Sequence, residues 1–259
     1  LTAPAESSPR ALRKRIRAGW SGLTTGHAPG FLQGNLVVLS REWAEPFVAF
    51  CRANPQPLPL LGASKPGDPG IPALAADLDL RTDVGRYRVY RNGALHEERT
   101  DIAALWRDDW VAIVLGCWFS NEAAIAAAGI RMRHVELGIQ GGLFRTTRPC
   151  VASGPYACDL VVSMRPFAAG AVERVAEITS GNPAAHGAPV HVGNPAALGI
   201  RDLAAPDFGE SLPPQEGEVP VYWGCGLTAI AALEAARPPI AVTHSPGCMV
   251  VTDLRARGA

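Results

Sequence analysis

Residues 36–51 read Leu36-Val37-Val38-Leu39-Ser40-Arg41-Glu42-Trp43-Ala44-Glu45-Pro46-Phe47-Val48-Ala49-Phe50-Cys51, and this stretch decides the fold class. An unbroken run of four aliphatic residues reads as a short strand buried on both faces. Ser40 then supplies an N-cap, and Ala44, Phe47, Val48 and Cys51 recur at helical spacing, so an amphipathic helix follows at once. A strand that feeds a helix belongs to α/β or α+β architecture.

Outward from this unit the same alternation continues. A first helix is expected over residues 8–20, followed by the turn-rich Thr24-Thr25-Gly26-His27-Ala28-Pro29-Gly30. Residues 55–80 are rich in proline and glycine but also in apolar residues, which predicts a long irregular connection packed on the body of the protein. Arg86-Tyr87-Arg88-Val89-Tyr90 alternates as a strand and runs into Asn92-Gly93, a hairpin-turn dipeptide. Thr100 is read as the cap of a short helix. The run 108–117 fits a buried helix or a strand, and periodicity does not choose between them. Ser120 is read as the cap of an alanine-rich helix ended by Gly129. Strands are expected at 131–137, 159–165, 188–193, 219–224, 240–244 and 248–253, with helices at 167–180 and 227–236.

The 259 residues carry 24 basic and 24 acidic side chains. A balanced charge argues against nucleic acid, whose phosphates demand a basic excess. The longest apolar run, Trp110 to Phe119, is far short of the ~20 residues a membrane helix needs. The six cysteines show no C-x-x-C spacing, so buried free thiols and a reducing, cytoplasmic setting are expected. No apolar segment follows the basic N-terminal residues as it would in a secretory signal. Only Lys14 and Lys65 are lysines. Codon bias explains most of the arginines, and a few in motifs suit bidentate recognition of a carboxylate.

Phosphate-loop, dinucleotide, zinc-protease and serine-hydrolase signatures are absent. What remains is a set of polar residues at strand ends and turns. Gln33 and Asn35 follow the 24–30 turn, Glu122 opens a helix, and hydroxyls stand beside arginine or a helix end in Arg145-Thr146-Thr147, Ser163-Met164-Arg165 and Ile178-Thr179-Ser180. Each has a plain alternative. Asp83 can simply pair with Arg81, Glu122 suits any helix N-terminus, and Cys225 between two glycines is a nucleophile or a small packing residue. His186 and His191 read either as metal ligands or as satisfied turn histidines.

Taken together, Thr25-Gly26-His27-Ala28-Pro29-Gly30, Arg81-Thr82-Asp83 with Arg86-Tyr87-Arg88-Val89-Tyr90, Trp106-Arg107-Asp108-Asp109, His186-Gly187-Ala188-Pro189-Val190-His191, and Thr243-His244-Ser245-Pro246-Gly247 with Val251-Thr252-Asp253 resemble the D-glutamate cyclase family. The resemblance implies a two-part α/β fold: a three-layer αβα core from residues 1–124 and 200–259, and a smaller two-layer α+β insert over 125–199. It implies a cofactor-independent hydro-lyase or cyclase that removes water from a carboxylate-bearing small molecule, as in closing D-glutamate to 5-oxo-D-proline. Such chemistry needs an acid, a base and donors for the tetrahedral oxyanion. Glu122, His191, His244 and Asp253 are the acid/base candidates. Arg145 and Arg165 are the expected carboxylate partners, with Thr146, Thr179, Ser180, Gln33, Asn35 and Trp118 completing the binding set. No cofactor and no metal are expected, although His186, His191, His244, Asp253 and Glu122 are the residues a metal would need. The partner is a small carboxylate rather than nucleic acid or membrane, and a homodimer is the assembly allowed for. Departures from the family pattern at Gly85, Trp118, Asn121, Gly141–Thr147, Gly181 and Cys248 point to a less polar or larger substrate. The alternatives are therefore a biosynthetic tailoring enzyme performing a different dehydration or ring closure, and a small-molecule binder without catalysis.

Overall fold

A computed structural model describes residues 8–256. The opening stretch folds as read. Strand β1 (Phe31–Ser40) leads directly into helix α2 (Arg41–Ala53), after helix α1 (Pro9–Arg17). Ser8 caps α1 through its side chain, whereas Ser40 makes no side-chain cap bond. β1 is the axis of a seven-stranded antiparallel sheet. On one side it pairs with β5 (Trp110–Gly116), which in turn pairs with β2 (Leu60–Ala63). On the other side β1 changes partner along its length. Val37 and Val38 face β10 (Ala241–His244), while Phe31 to Gly34 face β11 (Val250–Arg255). The hairpin β3 (Tyr87–Arg91) and β4 (Ala94–Arg99), turned at Asn92-Gly93, extends the sheet beyond β10.

The ambiguous run 108–117 is thus the strand β5, buried on both faces. α2 and α6 (Leu227–Ala236) cover one face of the sheet through Phe47, Phe50, Ile230 and Leu233. The other face is covered mostly by irregular chain, with Ile71, Leu74 and Leu78 packed on Leu36, Val38 and Val114. The apolar residues of the proline-rich connection therefore form the third layer, as their composition required.

A second, four-stranded antiparallel sheet runs β6 (Leu143–Pro149), β7 (Asp159–Ala168), β9 (Glu218–Gly224), β8 (His191–Val192). Helices α3 (Glu122–Ala127) and α5 (Val172–Ser180) back one face through Ile125 and Val175. The chain is a mixed α/β protein with the second sheet smaller than the first. β9 pairs with β7 over seven residues, so the expected boundary at residue 200 does not coincide with a boundary between the sheets.

Several local expectations change, and Thr100 does not cap the short helix that follows it, whose N-cap is Ile102. Residues 131–137 form helix α4 (Arg133–Leu137) rather than a strand, because Gly138 at φ 65° closes it with a left-handed cap. The strand at 188–193 is reduced to His191–Val192, and β6 was not expected at all. Ser120 does not cap α3; its Oγ accepts the Gln33 amide at 3.0 Å. Among the described residues, no helix is long and apolar enough to cross a membrane.

Candidate functional site

The partner change of β1 opens the sheet locally. Beyond Val37 the β1–β10 ladder stops, and the Leu36 amide donates instead to Nδ1 of His244 at 3.2 Å. Chain 245–249 crosses this gap before β11 begins. The ends of β5 and β9 and the middle of β7 converge on the same place. Together they enclose a cavity of about 60 Å³, lined by Asn35, Trp118, Ser163, Arg165, His186 and His244 among others.

Close main-chain approach makes this possible. A Cβ on Gly116 would lie 1.6 Å from the Ala184 carbonyl oxygen, so only glycine lets the 183–186 turn press on the end of β5. That turn delivers His186. Asn121 and Asn182 brace it: Asn182 donates to Asn121, and Asn121 donates to the Ala185 carbonyl, each at 3.0 Å.

Electrostatically the cavity holds one charge among its lining side chains. Arg165 is 2% exposed and, among the described residues, forms an ion pair with no carboxylate and donates one hydrogen bond, to its neighbour Met164 at 2.8 Å. Its Nε has no partner, and its guanidinium lies over the Trp118 ring at 5.2 Å. Burial pushes it below the ordinary arginine value. Ser163, on the same face two residues earlier, is also buried with an unpartnered hydroxyl. Burial lowers His186 and His244 to about 4, so both imidazoles are neutral at pH 7. His186 Nδ1 faces the Gln56 carbonyl at 3.0 Å. Because His244 Nδ1 accepts from Leu36, its proton sits on Nε2, which is left as a donor. The Cys117 and Cys225 thiols, also lining the cavity, are pushed up by burial and stay protonated.

Residues 111–253 match the D-glutamate cyclase family. The chain belongs to this family. It is 50% identical over 248 residues to a "putative hydro-lyase" of Bradyrhizobium diazoefficiens, covering 96% of this chain and 92% of that one. It is 49% identical over 246 residues to another bearing that name from Verminephrobacter eiseniae, covering 95% and 90%. A nitrogen repressor-like protein of Methanococcus jannaschii aligns over 90% of each chain with a TM-score of 0.40 and 12% identity, too distant a likeness to bear on function. The family and its relatives place the chain among hydro-lyases and cyclases.

The family motifs separate into two groups in space. Thr243–Gly247 and His186 reach the cavity, whereas Asp83 is buried against Arg17 of α1 and does not line it. Of the residues expected in the site, Asn35, Trp118, Arg165 and His244 line the cavity. Glu122 and Gln33 line a neighbouring depression of about 170 Å³ beside the 26–30 turn. Glu122 there accepts from Thr25 and contacts His134 at 3.2 Å. The others lie elsewhere, with partners that account for them. Arg145 is half exposed and pairs with Glu234 at 2.9 Å. Asp253 pairs with Arg13 at 2.9 Å. His191 contacts the Asn194 carbonyl at 2.8 Å and the Tyr222 ring on the opposite side of the small sheet. Thr146 donates to the Leu160 carbonyl at 2.7 Å. Thr179 accepts from the Trp223 indole at 3.1 Å, and Ser180 is exposed, bonded to its own helix. Among the described residues no three His, Cys, Asp or Glu side chains gather as a metal would need, so the five considered for that role do not converge.

Among the polar and thiol side chains of the lining, Gln140, Ser163, His186, Cys117 and Cys225 stand outside the expected site set. The signal for Ser163 was available: two residues before Arg165 on a strand, it must share its face.

Proposed function

We propose that the cavity is the active site of a cofactor-independent hydro-lyase or cyclase acting on a small carboxylate, with D-glutamate as the leading substrate. The observation that carries this reading is Arg165, a buried guanidinium at a cavity wall that forms no ion pair among the described residues, Glu122 acting on it only at longer range. A buried charge is retained against its desolvation cost where a partner arrives from outside.

One cation suits this reaction. Glutamate carries two carboxyl groups; one is held, and the other is attacked by the amine. Ring closure turns –NH3+ and –COO– into an amide and water, so it is balanced in protons, and the protein need only relay them. In this reading Arg165 holds the free carboxylate through paired N–H groups. His244 Nε2–H stabilises the oxygen that becomes negative in the tetrahedral intermediate, a task for which a neutral imidazole is suited. Ser163 adds a hydroxyl beside the held carboxylate.

The test is incubation of the purified chain with D-glutamate, following 5-oxo-D-proline by mass spectrometry, with L-glutamate and the reverse reaction alongside. Turnover that Arg165→Met abolishes, and Arg145→Ala leaves within about twofold, is the expected result, since Arg145 lies outside the cavity in an exposed ion pair with Glu234. A folded chain without turnover on D-glutamate overturns the substrate assignment. A second reading then stands, favoured by the walls of Trp118, Phe119, Leu143, Leu227 and Met249: a tailoring enzyme closing or dehydrating a less polar carboxylate.

A further inference from the structure

Outside the cavity, two cysteines face each other across a hairpin. The β6–β7 register pairs Pro149 with Asp159, so Cys150 and Cys158 are directly opposite, and the Cys150 amide donates to the Cys158 carbonyl at 2.9 Å. Opposed residues on an antiparallel pair share a face, with Cβ atoms about 4.5–5.5 Å apart. As a hydrogen-bonded pair they lie at the wide end of that range, with Cα atoms about 5.5 Å apart, a separation a disulfide spans once the Cβ atoms approach by about 1–1.5 Å. Both thiols are free and partly buried against the layer formed by α2 and α6. Cys150 also lines a surface depression of about 290 Å³ with Arg148, Gln56 and Pro189, which gives a small oxidant access.

The intervening loop is a clamp between the two halves of the fold. Tyr156 is fully buried, donates to the Trp43 carbonyl at 2.9 Å, and packs its ring on Phe47 at 5.1 Å. Val151 and Asn54 exchange two hydrogen bonds of 2.8 Å. The small sheet thus grips α2 of the large one through residues 151–156.

We propose that Cys150 and Cys158 form a reversible disulfide on exposure to a hydroperoxide, and that this bond fastens the clamp onto α2. The Cys150 thiolate attacks the peroxide oxygen; the O–O bond breaks, an S–O bond forms, and water or an alcohol leaves. The Cys158 sulfur then displaces the sulfenic oxygen as a second water. Two thiols are oxidised to one disulfide and one hydroperoxide is reduced. The order of attack agrees with the surroundings: interaction with Cys158 holds Cys150 below the ordinary thiol range, while Cys150 and burial push Cys158 up, and the Cys158 thiol donates to the Thr228 carbonyl at 3.6 Å. The inference is independent of what occupies the cavity.

The experiment treats the full chain with hydrogen peroxide, blocks remaining thiols under unfolding conditions, and examines the tryptic peptide 146–174 that carries both cysteines. The expected peptide is unblocked, lighter by two hydrogens, and restored by dithiothreitol. Cys158→Ser leaves Cys150 as a sulfenic acid trapped by dimedone, and Cys150→Ser leaves Cys158 blockable. Oxidation confined to other cysteines, or irreversible sulfinic acid at Cys150 in the unsubstituted chain, overturns the proposal. The oxidised chain also melts above the reduced one, a difference absent in Cys150→Ser. Equal melting of both forms overturns the clamp.

Discussion

Replacing Arg165 with methionine should make this protein more stable while removing its ligand. Arginine offers five N–H donors, and the fold bonds one, to Met164 at 2.8 Å, with the Trp118 ring 5.2 Å away. Methionine retains the unbranched apolar stem and removes the charge. What is lost is one charge-assisted hydrogen bond, about 1.5–3 kcal/mol, and a ring contact of roughly 0.5–2 kcal/mol. What is relieved is the desolvation of an unneutralised cation, several kcal/mol even after relaxation. Replacements of buried ionic groups by apolar ones of similar shape are neutral to stabilising by about 1–4 kcal/mol, and the losses here put this variant at the low end, about 1–2 kcal/mol. At about 2–4 °C per kcal/mol for a chain of this size, Tm rises by roughly 2–8 °C. The same change deprives a bound carboxylate of its partner, at a cost of about 2–5 kcal/mol, or some thirtyfold to several-thousandfold in Kd. Thermal unfolding followed by circular dichroism, with calorimetric titration of the substrate into both proteins, measures the two effects together. A variant that melts several degrees lower would refute the reasoning, because the guanidinium would then be a group the fold itself requires.

Arg13 provides the opposite case: equally buried, it bonds Asp253, Asp77 and the Val251 carbonyl. Arg13→Met should therefore lower stability, by about 1–3 kcal/mol since both carboxylates are partly exposed, and leave D-glutamate turnover per folded molecule unchanged. Gly116→Ala must move the Ala184 carbonyl by more than an ångström; an overpacking cost of about 1–3 kcal/mol and a displaced His186 should appear as a lower urea midpoint and reduced turnover. His186 and His244 are held near 4 in the folded chain against about 6.5 unfolded, so the unfolded state takes up more protons between those values. Stability is then complete above pH 6.5 and falls as pH drops towards 4, by on the order of 3 kcal/mol per histidine. His244→Gln should flatten the urea midpoint between pH 6.5 and 4, and an unchanged slope would show that other groups carry it.

Strong local patterns were legible in the sequence. The Leu36–Cys51 unit, the Asn92-Gly93 hairpin and the 227–236 helix are set by neighbours in the chain, and periodicity reports them. β6 was hidden because it is an edge strand whose Arg145, Thr147 and Arg148 point to solvent, so no apolar alternation marks it. α4 is five residues long, too short for any period to show. In the site, Arg165 and His244 could be proposed from residue type beside strand ends. Arg145 could not be told from Arg165, because whether a carboxylate stands opposite depends on Glu234, 89 residues away. Likewise Asp253 resembles a catalytic acid until Arg13 is found against it, 240 residues away. Such pairings belong to the tertiary fold, and spacing along the chain carries no trace of them.

The order of strands around β1 has a consequence for how the chain acquires its shape. β1 precedes β10 and β11 by about 200 residues, yet one of its edges is completed only by those two strands. The β3–β4 hairpin in turn joins the large sheet only through β10. Until residues 241–255 are made, a strand carrying the apolar run Leu36–Leu39 displays unpaired amides and carbonyls along one edge, the arrangement that invites pairing with another copy. Closing of the large sheet is therefore a long-range event, slow by its topology, and the β1 edge stays open to wrong partners until β10 and β11 dock on it.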